Sequence, residues 1–244
     1  MLWLLGYPDQ ALRQSSHALS LARELEHPYS LCYALNWAGM LHVYRRECHA
    51  VHERTEASFA LAQEQGFAMW NASGPIWRGW VLAAGGEHGE GIALIRQGIA
   101  AWLATGGYLF QPYFIGLAAE AAGRASHTDE ALGLVAEALA AAQATGERFY
   151  EAELYRLNGD LLLIQAASNA SQAEAAFRHA LDIARRQQAK SLELRAATSL
   201  ARLWGEHGRR GEARDLLTSV YGWFTEGFDT ADLKEAKALL DELR

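Results

Sequence analysis

Four residues near position 45 have side chains that could hold a metal. His42, Cys48, His49 and His52 fall close together, and His49 and His52 are three apart, so on a helix both imidazoles share a face. Thiolate sulfur and imidazole nitrogen are the ligands zinc selects. However, His88, His127 and His207 recur at a similar phase of the chain with no cysteine beside them. A histidine near a helix C-terminus is favoured by the helix dipole alone, so these positions need no metal to explain them. The run 85–91, Gly-Gly-Glu-His-Gly-Glu-Gly, could be mistaken for a phosphate cradle. It lacks the basic residue, and helix-forming sequence rather than a strand precedes it, so an interhelix turn is the better reading. Glu151, Glu153 and Asp160 gather carboxylates around Tyr155. Paired acids can do acid–base work, but a solvated or groove-lining helix face accounts for them equally. No serine sits in a strand-to-helix elbow of the kind that exposes a nucleophile. The expectation is therefore no catalytic residue, no cofactor, no metal and no enzyme.

What positions these residues is a repeat. Ala11, Val51, Gly91, Ala131, Ala173 and Ala213 are spaced 40, 40, 40, 42 and 40 apart. Seven residues later come Ala18, Ser58, Gly98, Ala138, Ala180 and Val220, and twelve residues earlier come Gly39, Gly79, Ala119 and Ala201, with Gly159 fourteen before Ala173 because the one two-residue length change falls between them. Small side chains held in phase over several periods mark stacked copies of one supersecondary unit. Such arrays work through surfaces more than through clefts.

Residues 149–188 show the unit. Leu154, Leu157, Leu161, Leu162 and Ile164 have helical spacing, and so do Ala173, Ala176, Phe177, Ala180, Leu181 and Ala184. Between them the polar stretch 166–171 offers Asn169 and Ser171 as N-cap candidates. Each unit is then an antiparallel pair, helix A and helix B. Glycine inside helix A costs about 1 kcal/mol relative to alanine, so Gly39, Gly79 and Gly159 imply close approach of helix B. Arg46, Gly86, Ser126 and Gly208, with Gly6 at the same phase, occupy the A-to-B corner where a C-terminal cap belongs. Pro28 and Pro112 suit a first helical turn. Pro75 lies deeper, so its helix either starts late, capped by Asn71 or Ser73, or bends.

The 244 residues are 50% hydrophobic and 21% charged with a net charge of −7, so the chain is globular and poorly suited to nucleic acid or anionic membrane. Two cysteines, Cys32 and Cys48, are too few for a disulfide framework. The uncharged stretch 97–119 is long enough to span a bilayer, but Gly106-Gly107 and Gln111-Pro112 break it at a repeat junction. The expectation is a cytoplasmic protein without a membrane span. The array divides into a partial unit at 1–28, helix pairs at 29–67, 68–108, 109–148, 149–188 and 189–228, and a closing amphipathic helix at 229–244. Leu2, Trp3, Leu4 and Leu5 read as the tail of a helix whose apolar side would lie open, as in part of a longer protein.

Small positions at these intervals in a helix-turn-helix unit resemble the tetratricopeptide repeat in a long-helix form, across essentially the whole chain. The segments 173–204 and 220–237 are similar to the C-terminal part of large bacterial signalling proteins that join an ATPase, often with a class III nucleotide cyclase, to such repeats. No Gly-x-x-x-x-Gly-Lys loop occurs here, so those activities do not carry over. The resemblance implies an all-α right-handed solenoid in which helix A lines a concave face. Projected onto that face are Tyr33, Asn36, Met40 and Tyr44; Ile76 and Trp80; Tyr113, Glu120 and Arg124; Glu153, Arg156 and Asp160; and Arg195 and Arg202. The implied role is a non-catalytic regulatory module that binds a protein or peptide segment there, with the ATPase or cyclase domains of a parent chain among the candidate partners. The alternative is metabolite sensing by an aromatic zone of Tyr33, Trp80 and Tyr113.

Overall fold

The structure, a computed structural model, describes residues 1–244 and contains helices joined by short turns. In chain order these are α1 Pro8–Glu24, α2 Pro28–Arg45, α3 Cys48–Gln65, α4 Ala68–Ala84, α5 His88–Ala104 and α6 Gln111–Arg124. They continue as α7 Thr128–Thr145, α8 Glu151–Gln165, α9 Ala170–Arg186, α10 Lys190–Glu206, α11 Arg210–Tyr221 and α12 Ala231–Glu242. No helix is long and apolar enough to cross a membrane. The fold is an all-helical stack of antiparallel pairs.

The small-residue register is where the paired helices meet. A Cβ on Gly39 would lie 2.4 Å from Thr55 Cγ2, one on Gly79 2.4 Å from the Gly91 carbonyl oxygen, and one on Gly159 2.4 Å from the Phe177 ring. These distances are far inside contact, so each pair sits closer than any side chain at the glycine would permit. Ala119, Ala201, Ala131, Ala173, Ala213, Ala138 and Ala180 are all fully buried.

The corners repeat as regularly as the helices. Gly6, Arg46, Gly86, Ser126 and Gly208 all have positive φ. A second set, Glu26, Gly66, Gly106, Gly146 and Gln188, has positive φ at the opposite, B-to-A corner. These turns close through a left-handed residue, which ends a helix by turning its last carbonyls toward the following N–H groups; the exception is the A-to-B turn after α8, where Ala166 is extended and a 3-10 turn over Ala167–Asn169 follows.

The late-start alternative at Pro75 and the Asn169 cap do not occur. α4 runs through Pro75 from Ala68, and neither Asn71 nor Ser73 caps it. Asn71 donates from Nδ2 to the Ala62 carbonyl, while Ser73 Oγ lies 2.9 Å from both the Trp70 carbonyl and Asn36 Oδ1, which share its one proton. Asn169 precedes α9 but caps no N–H of it; its Nδ2 donates instead to the Leu162 carbonyl at the end of α8.

The chain divides into two compact units, residues 11–141 and residues 142–244 together with 1–10. In the first, α2 to α5 carry a core rich in tryptophan and tyrosine. In the second, Phe177, Leu181, Leu194, Leu200, Trp204, Leu217 and Leu233 form one apolar cluster, closed by Ala236 and Leu239 of α12 and by Leu243 just beyond it. The apolar start of the chain does not lie open. Trp3 and Leu4 are buried, because they pack on the second unit, where Ser191 bonds to both of their carbonyls.

Candidate interaction surface

The helix-A positions of the first unit fall mostly inside it. Met40, Tyr44, Ile76, Trp80 and Tyr113 are buried, and so is Asn36. Asn36 Oδ1 accepts from Trp77 Nε1 at 2.8 Å and from Ser73 Oγ at 2.9 Å, so it organises the core. The reason for this burial is a contact that skips a repeat. The Tyr44 and Tyr113 rings lie 5.5 Å apart, and Trp37 and Phe110 4.7 Å apart, so α2 and α6 meet across α4. Residues 112–119 of α6 are consequently buried on every side. Within this unit the hollow that helix A would line is filled by its own rings. Tyr33 alone of the Tyr33, Trp80 and Tyr113 set is exposed, so the three do not form one open aromatic zone.

What stays open is the edge where the A helices begin. Tyr29 and Tyr33 are 44% and 51% exposed, and Tyr108 and Leu109, just ahead of α6, are 65% and 63% exposed. Behind them the rings run continuously: Tyr29 on Phe67 at 5.1 Å, Tyr33 on Trp37 and on Trp70 at 5.7 Å, and Trp37 on Phe110. Trp102 fixes the far side by donating to the Leu109 carbonyl at 3.0 Å. Edge-on ring pairs of this kind are favourable beyond their area burial, so the ledge is rigid. The indole N–H groups of Trp37 and Trp70 are buried without an acceptor. Sequence reasoning reached Tyr33 but missed Tyr29, Tyr108 and Leu109, since no helix-A periodicity includes them. The signal available was the run of aromatics flanking each B-to-A corner.

In the second unit the charged helix-A residues bind one another. Glu153 takes a bidentate pair from Arg156 at 2.8 and 2.9 Å, and Arg156 also pairs with Asp160. Arg195 donates to Asp232 at 2.9 Å and to Glu153 at 3.3 Å. Glu153, Arg156, Arg195 and Asp232 are all buried. Burial alone would depress the Arg195 guanidinium, but the Asp232 and Glu153 carboxylates outweigh it and raise it further, so it stays charged. Arg202 is exposed and pairs with Glu235 at 2.7 Å; in the first unit Arg124 is exposed and pairs with Glu120 at 2.8 Å.

No group of three or more histidine, cysteine or acidic side chains is arranged to hold a metal. His42 is buried against Glu47, which also takes Arg45, and Cys48 is half-buried. Burial pushes the Cys32 thiol up, against a hydrogen bond from Ser58, which makes it a poor nucleophile.

No family model matches the chain. It is 23% identical over 202 residues to the uncharacterized protein R02095 of Rhizobium meliloti strain 1021, an alignment covering 83% of this chain and 20% of that protein. The chain thus spans about a fifth of the length of the curated relative it matches. Among solved structures it is similar to a Podosopora anserina kinesin light chain structure with nearly identical TPR-like repeats, at a TM-score of 0.52 and 15% identity. That match covers 90% of this chain and 99% of the other. The all-helical, sequentially packed fold is therefore of the TPR-like solenoid class.

Proposed function

We propose that the chain is a non-catalytic protein-interaction module whose partner segment docks on the aromatic ledge at the start of α2 and α6. The observation that carries this reading is the exposure of Tyr29 and Tyr33 on a continuous ring network, with exposed Tyr108 and Leu109 directly preceding its member Phe110. Exposed aromatics on a preorganised base are the residues that dominate protein interfaces, and rigid rings lose little entropy on binding. A net charge of −7 disfavours nucleic acid as that partner. Within residues 11–141, Tyr33 and Arg124 are exposed members of the helix-A set. The resemblance of residues 173–204 and 220–237 to bacterial signalling proteins supports a cytoplasmic module that regulates attached signalling domains, ATPase or cyclase among them.

The test is comparative capture. The chain and a Tyr29→Ser/Tyr33→Ser/Tyr108→Ser variant of unchanged helicity are used as baits in a bacterial lysate, and a protein retained by the first is then titrated against both. The ledge reading expects at least a tenfold loss of affinity in the variant. Equal affinity for both baits removes the ledge as the partner surface.

A further inference from the structure

The first ten residues are held on the second unit by contacts of the kind that read a peptide. Trp3 is buried, with the Arg195 guanidinium 4.8 Å from its ring centroid. At the start of α10, Ser191 donates from Oγ to the Trp3 carbonyl at 2.5 Å and from its backbone N–H to the Leu4 carbonyl at 3.2 Å. Gly6 has φ +90°, and a Cβ there would lie 2.4 Å from the Trp223 ring. Beyond it the N–H groups of Asp9 and Gln10, which open α1, donate to Glu226 Oε1 at 3.0 and 2.9 Å, and Asp9 accepts from the Gly227 N–H at 2.9 Å. This is a reciprocal helix cap made between residues more than two hundred positions apart.

The receiving surface has ties of its own that do not involve the segment. Asp232 and Glu153 fix Arg195, and Ser191 stands at a helix N-terminus, where N–H groups have no intrahelical acceptor. Within the segment Trp3, Leu4, Gly6 and Pro8 are buried while Leu5 is exposed, and the first regular helix begins at Pro8.

We propose that the start of α10, Arg195 and the stretch 223–230 form a peptide-recognition seat, filled in this structure by residues 1–10, which a partner segment can displace. The partner that fits carries an indole, a positive-φ glycine three residues on, and a Pro-Asp helix start two residues beyond that. The indole lies over the buried cation, two carbonyls take the Ser191 donors, and the acidic helix start exchanges caps with residues 226–227. Because the segment is tethered, its effective concentration is on the order of millimolar, so a partner binds weakly until the segment is released.

A fluorescein-labelled synthetic peptide of residues 1–12 is titrated against the full chain and against its Trp3→Ala/Gly6→Ala variant, in which the tethered segment no longer fits. The variant is expected to bind the peptide at least tenfold more tightly than the unaltered chain, and a peptide with its own tryptophan replaced by alanine is expected not to bind. No binding by a variant of normal helicity, or equal binding to both chains, overturns the seat. Should the variant lose helicity, hydrogen exchange on the unaltered chain decides. Amides of Asp9, Gln10 and Gly227 exchanging at least tenfold faster than those of Leu154 and Leu157 support a displaceable segment, and equal rates overturn it.

Discussion

At Gly79 there is room for a hydrogen and nothing else. A methyl group there would meet the Gly91 carbonyl of the facing helix, and backbone cannot rotate aside. At Gly39 the obstacle is the Thr55 methyl, a side chain with a rotamer to give. Gly79→Ala is therefore expected to destabilise by about 1–3 kcal/mol, and Gly39→Ala by less. Urea denaturation of both variants checks the order, and a smaller loss at Gly79 would contradict the close approach of α4 and α5. Asn36 makes a second residue-scale case. Asn36→Leu strands the Trp77 N–H in the core, at an expected cost of about 1–3 kcal/mol. Ser126 has φ +60° on an exposed corner. A non-glycine residue there costs about 1–2 kcal/mol, part of which glycine returns as lost chain entropy. Ser126→Gly should raise the denaturation midpoint, and a lowered midpoint would show that Ser126 is not strained.

Between elements, charge decides more than composition suggests. Arg195 joins α10 to Glu153 of α8 and Asp232 of α12 with all three buried. Arg195→Met leaves two buried carboxylates short of a partner and is expected to cost about 3–5 kcal/mol, measured as loss of midpoint in guanidinium. Arg78 bridges α4 to Glu56 of α3 and lies over the Phe59 ring. Its hydrogen bond, chiefly, holds the Glu56 carboxyl below its ordinary 4.5, against the opposing effect of burial. A depressed acid stabilises the fold above its unfolded value and loses that contribution as the pH falls through its folded value. Stability should therefore drop as the pH is lowered past about 4.5, and less steeply in Arg78→Met. Parallel acid profiles for the two chains would exclude the pair as a source. Both side chains are partly exposed, so the difference is small.

Across the whole molecule, local spacing carried the repeat and distant packing did not show in it. The three small positions per unit give helix pairing directly, because each is a contact within one hairpin. The A-to-B corner could be read from Gly6, Gly86 and Gly208, whereas the B-to-A corner was hidden where Glu26 and Gln188 take positive φ without being glycine. The filled interior of the first unit depends on Tyr44 meeting Tyr113 nearly seventy positions on, which no helical period encodes. The same holds for Glu226 capping α1. Projecting a concave face from the register therefore identified helix A correctly as one element of each pair, but it had no means of telling which of its residues the tertiary fold would cover.

Hydrogen exchange on the chain with and without a captured partner tests the interaction surface most directly. Docking on the ledge predicts new protection in peptides covering residues 28–37 and 107–111. Protection confined to α8 to α11, with residues 28–37 and 107–111 exchanging as in the free chain, would contradict it.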